Sequence, residues 1–159
     1  MNRRILSFVI SLLFLGLSMW LLSAYVVQLY FVSGDSMEPT YTSGQPVLLQ
    51  KWGLPDCLDR DDIVIIRSKN LHRDIVKRIV ALPGDTVQII DGTLYVNAVP
   101  AENPYHLPAM KDAGNAASPI TLGAGEYFVL GDNRNASIDS RFDEVGIILS
   151  DNIIGKVID

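Results

Sequence analysis

Polar and apolar positions are distributed differently at the two ends of this chain. Residues 5–32, ILSFVISLLFLGLSMWLLSAYVVQLYFV, contain no charged side chain. A helix over that stretch would be about 42 Å long at ~1.5 Å per residue, more than the ~30 Å hydrocarbon core of a bilayer. Arg3 and Arg4 precede it, and basic residues beside a first span favour the cytoplasmic side. The pattern predicts an uncleaved anchor over residues 1–32, with its N-terminus in the cytoplasm and the rest of the chain outside. A cleaved signal peptide is the competing reading, because Ser23 and Ala24 resemble its small-residue end. Such peptides carry an apolar region of only ~7–15 residues, and here the run continues well past that point.

Beyond position 32 the period changes. Residues 33–45 are rich in Ser, Gly, Thr and Pro and predict loop or irregular strand. Short runs dense in β-branched residues follow, at 46–50, 63–67, 74–82, 86–90, 93–96, 126–130 and 153–158. Turn signals such as Pro83-Gly84-Asp85 separate them. Asp91-Gly92 between VQII and TLYV predicts a two-residue hairpin, since a type I′ turn needs positive φ at both central positions. No amphipathic helix stands out. Residues 97–125 read as a loop-rich insertion rather than core. The expected architecture is mainly β: one transmembrane helix, then a small, mostly antiparallel β domain over 33–159.

Composition narrows the function. The net charge of −5 divides into +2 for residues 1–32 and −7 for the remainder, which holds eleven basic and eighteen acidic residues. An acidic outer domain argues against nucleic acid as a partner. A single cysteine, Cys57, excludes an internal disulfide framework and a multi-cysteine zinc site. His72 and His106 lack the neighbours of a metal motif, so neither metal nor cofactor is expected. That scarcity also weakens a Ser-His-Asp mechanism, for which His72 would be the only serious base. The acidic runs at 59–62 and 142–146 read as solvated turns.

A serine and a lysine remain. Ser36 lies in SGDSMEPT, shortly after the apolar run, with Gly34 to admit a close backbone and Pro39 to stiffen the turn. A serine hydroxyl needs an adjacent base to become a useful nucleophile. The run DIVKRIVALPGD at 74–85 offers Lys77 and Arg78 on opposite faces of a strand. Alternation does not decide which points inward, but chemistry distinguishes them: arginine stays protonated, whereas a desolvated lysine loses its proton near neutral pH. A third segment, GDNRNASIDSR at 131–141, is polar and follows a buried strand. In it Asp132, Asn133, Asp139 and Arg141 suit an ion-paired scaffold, and Ser137 suits the orientation of a neighbouring base.

Taken in order, the anchor, GDSMEPT, DDIVIIR, VKRIVALPGD, GDNRNASIDSR and IIGKV resemble bacterial type I signal peptidases, membrane-anchored Ser/Lys endopeptidases. The resemblance runs almost end to end. It implies Ser36 as nucleophile, Lys77 as general base and Ser137 as the serine that hydrogen-bonds and orients the lysine. Asp139 and Arg141 would hold that region together. Gly34, Asp35, Met37 and Pro39 would shape the serine turn and the oxyanion region. Gly34 stands where some members carry a hydroxyl donor. The resemblance further implies a β-rich catalytic core shared with self-cleaving SOS repressors, a small cap over 97–125, preproteins as substrates, a monomer in the bilayer, and an extracytoplasmic site. Two alternatives stay open: a specialised pilin or conjugation-system peptidase, and a non-catalytic membrane-anchored peptide-binding module.

Overall fold

The apolar run divides into two elements. The computed structural model describes residues 3–102 and 108–158, and in it helix α1 covers Arg3–Tyr25. Its stretch Arg3–Leu21 has a mean hydropathy of 2.0 and is nowhere covered by the rest of the chain. Strand β1, Val27–Phe31, follows after one residue and pairs antiparallel with β2, Pro46–Gln50. The helix expected to run to position 32 therefore stops at Tyr25, and residues 27–31 join the outer sheet. The cause is local and long-range together. Val26 and Val27 are β-branched, and β2 supplies a full ladder of backbone partners from Val27↔Gln50 to Phe31↔Pro46.

The predicted strands form with nearly the expected bounds. They are β3 (Ile63–Ser68), β4 (Arg73–Ala81), β5 (Thr86–Ile90), β6 (Thr93–Val96), β9 (Glu126–Leu130) and β11 (Ile153–Ile158). Three two-residue strands join them: β7 (Val99–Pro100), β8 (Ile120–Thr121) and β10 (Ile148–Leu149). A seven-stranded sheet has the order β1-β2-β11-β3-β4-β9-β10, and a four-stranded sheet the order β7-β6-β5-β8. Neighbours in both are antiparallel. Asp91 and Gly92 have φ of 49° and 74°, the positive values the β5–β6 hairpin requires.

Why β3 reads IVII without alternation is explained by what covers it. Ile63 and Ile65 pack with Val32, Met37, Val47, Leu49 and Val76 on one face. Val64 and Ile66 pack with Ile75, Ile79, Val129 and Ile153 on the other. A strand covered on both faces has no polar side to show. Full burial of each such residue contributes roughly 1.5–3 kcal/mol.

A third cluster joins the sheets and corrects the reading of 97–125. Met110, Ala116 and Leu122 are buried with Val80 and Leu130 of the large sheet and Val87, Ile89 and Leu94 of the small one. Strand β8 also pairs with β5. The segment is rich in turns, but three of its apolar side chains close the core between sheets. His106 lies outside the described residues.

Candidate active site

Three segments, far apart in sequence, converge at one edge of β4. One edge of β4 is paired with β3 over Arg73–Arg78. The other edge is paired with β9 only from Arg78 onward, in the register Arg78↔Leu130 and Ile79↔Val129. Over 73–77 that edge carries no strand among the described residues. The serine loop and the segment after β9 meet there.

Lys77 Nζ lies 2.7 Å from Ser36 Oγ. Lys77 is only 3% exposed, and burial lowers its pKa from 10.5 to about 8. The Asp139 carboxylate opposes that shift and the Arg73 cation assists it. Arg78 turns away from the serine, so of the adjacent pair Lys77 and Arg78 the lysine meets it. Arg78 grips Asp132 in a two-pronged pair, Nε to Oδ1 at 2.8 Å and Nη2 to Oδ2 at 2.6 Å. The Thr40 hydroxyl donates to Asp132 Oδ2 as well. One carboxylate thus ties the strand that carries the lysine to the loop that carries the serine.

The serine turn is held from both sides. Met37 is fully buried in the core, which pins the residue next to Ser36. The Asn133 N–H donates to the Ser36 carbonyl at 3.0 Å, and Asn133 Nδ2 donates to the Asp35 carbonyl at 3.3 Å. The Glu38–Pro39 bond is cis. Gly34 has φ +85°, which favours glycine. Its two chain neighbours aside, no atom of the described residues lies within 4 Å of where its Cβ would stand, so no internal backbone approaches it from that side. That open side faces a cleft of about 160 Å³ between Gly34 and Ser36 on one wall, Ile75 and Lys77 on another, and Ala136 and Ile138.

Asp139 and Arg141 lie together beneath this arrangement. Arg141 Nε reaches Asp139 Oδ1 at 2.8 Å and Nη2 reaches Oδ2 at 3.0 Å, with both side chains essentially inaccessible. Arg141 also donates to the carbonyls of Asp112, Arg134 and Ser137. The Gly131 N–H donates to Asp139 at 3.1 Å. These contacts fasten both ends of 131–141 together.

Ser137 departs from the expectation. Its Oγ is buried and has no hydrogen-bond partner among the described residues, so the implied bond to Lys77 is not made here. The hydroxyl packs instead against Gly131, and the lysine is engaged by Ser36. Gly131 is one residue the sequence reading overlooked. A Cβ there would collide with Ser137 Oγ and stand 2.5 Å from the Ser36 carbonyl oxygen. A glycine at the end of a buried strand was the available signal. Thr40 was also overlooked, since its partner Asp132 is 92 residues away.

Known proteins carry related sequences. Residues 3–158 match the family model described as signal peptidase, peptidase S26. A signal peptidase I of Bacillus licheniformis is 38% identical over 145 residues, covering 85% of this chain and 76% of its own length. A signal peptidase IB of Staphylococcus aureus (strain COL) is 33% identical over 173 residues, covering 99% and 89%. The crystal structure of a signal peptidase I from Enterococcus faecalis V583 superposes with a TM-score of 0.52 at 31% identity, over 64% of this chain and 97% of that one. The match spans the anchor, the serine turn, the lysine strand and the polar segment after β9, and the chain belongs to the signal peptidase family, peptidase S26.

Proposed function

We propose that this protein is a membrane-anchored serine endopeptidase that removes signal peptides from preproteins, with Ser36 as nucleophile and Lys77 as general base. The observation that carries this reading is the 2.7 Å contact between Lys77 Nζ and Ser36 Oγ at the floor of an open cleft. Proton transfer requires that distance, and a lysine near pKa 8 holds a useful neutral fraction near neutral pH.

Neutral Lys77 takes the Ser36 proton as Oγ attacks the scissile carbonyl. Collapse of the tetrahedral adduct breaks the C–N bond, and the lysine returns the proton to the departing amine. A water, deprotonated by the same lysine, then releases the acyl group from Ser36. The Ser36 N–H has no acceptor among the described residues and suits the developing oxyanion. Gly34 contributes no side-chain donor and leaves room for a substrate backbone.

The edge of β4 over 73–77 supports an extended substrate added as a strand, since among the described residues no ladder occupies it. Arg3 and Arg4 before α1 favour an anchor whose N-terminus is cytoplasmic, with the site on the outer face of a bacterial membrane. Ser137 is assigned a positioning role toward Lys77, and the molecule acts as a monomer. The test is cleavage of a purified preprotein by the detergent-solubilised chain beside Ser36→Ala and Lys77→Met. Cleavage after a small residue by the unmodified chain alone supports the dyad; equal cleavage by all three refutes it.

A further inference from the structure

Arg73 opens β4 at the far end of the cleft from the dyad, and it lines that cleft together with Asp74, Ile75 and Lys77. Its side chain is exposed, and no hydrogen bond or ion pair holds its guanidinium among the described residues. The adjacent carboxylate is already engaged: Arg67 Nε reaches Asp74 Oδ1 at 3.2 Å. Among the described residues Arg73 thus has no ion-pair partner at its end of the cleft, whose lining on the serine side includes Asp35.

Register decides what meets it. Arg73, Ile75 and Lys77 share one face of the strand. A peptide added along the free edge with its scissile residue beside Lys77 sets its third residue before the cut opposite Ile75. Its fifth stands opposite Arg73, about 13 Å upstream at ~3.3 Å per residue. Direction follows from the anchor. Tyr30, five residues past the end of α1, packs against the cluster that holds Val76 of β4, and the charges of Asp74 and Arg73 act on its hydroxyl, so the Arg73 end of β4 lies close to β1. A signal peptide's apolar segment lies upstream of its cut and in the membrane, so upstream residues run toward that end.

From this placement, resting on the peptidase reading above, we infer that Arg73 is a specificity residue for the fifth position before the cut, favouring acidic side chains there and rejecting basic ones. The charges meet at a solvent-exposed site, where single pairs contribute modestly, so the expected discrimination is about fivefold in kcat/KM for Glu over Lys. At about 1 M salt, where the Debye length falls to about 3 Å, the preference shrinks toward unity.

The experiment uses the full chain in detergent micelles and peptides with alanine at the first and third positions before the cut and Glu, Gln or Lys at the fifth. The expected order for the unmodified chain is Glu, then Gln, then Lys. Arg73→Glu inverts it, and Arg73→Lys preserves it. Reversing this charge also perturbs Lys77, but equally for every peptide, so that effect cancels in the ratio. A ratio unchanged by Arg73→Glu, with all peptides still cut, overturns the subsite and leaves the peptidase reading intact. Cleavage of no peptide by the unmodified chain overturns both.

Discussion

Ser36 and Lys77 are 41 residues apart in the chain and 2.7 Å apart through their side-chain termini. Two constraints create that proximity: Met37 locks the serine turn into the core, and Asp132 links Thr40 of the same turn to Arg78 beside the lysine. The contact is a property of the fold, in place before substrate arrives.

The first consequence is a pH dependence with two readouts. The base works when neutral, so the rate of acylation is expected to rise with pH through about 8, the pKa of buried Lys77. Stability moves the same way. Between about 8 and the ordinary 10.5 the unfolded chain holds a proton that the folded chain does not, so folding is favoured as pH rises across that window. Below it the full cost of burying this lysine applies, on the order of 3 kcal/mol. Lys77→Met should therefore be inactive yet more stable at pH 7, with the advantage fading toward pH 10 in thermal melts.

Ser137→Ala separates a structural from a positioning role. The hydroxyl is buried with no partner among the described residues, and an unsatisfied buried polar group costs ~1–3 kcal/mol. The alanine variant is expected to melt no lower than the unmodified protein while kcat falls at least about tenfold. Unchanged kcat would remove Ser137 from the machinery.

Asp139→Ala should do the reverse. It strips the partner from fully buried Arg141, and breaking such a pair costs about 3–5 kcal/mol. A melting temperature unchanged by this substitution would show that the pair does not hold 131–141 in place.

At Gly131 the expectation is steric. Gly131→Ala drives a methyl group into Ser137 and toward the Ser36 carbonyl, and activity should fall by at least about 100-fold. Adding Ser137→Gly should not restore it, because the Ser36 carbonyl is still 2.5 Å from the new methyl. Restoration would place the conflict at Ser137 alone.

Sequence reading reached further into the fold than into the site's supports. Strands such as Thr86–Ile90 and Thr93–Val96 were legible because each carries its own period and a Asp91-Gly92 turn between them. Strand β1 was not, since its pairing with Pro46–Gln50 overrides an apolar pattern shared with the helix before it. Ser36 and Lys77 were legible as residue types in motifs, whereas Thr40 and Gly131 matter through partners that only folding brings close. Neither carries a titratable or nucleophilic signature of its own beyond a common hydroxyl.

One residue, Val26, separates the end of α1 from β1, and its carbonyl accepts the Lys51 N–H at 2.9 Å. A helix joined so directly to the sheet has little slack: wherever α1 is held, β1 and the sheet behind the cleft are held with it.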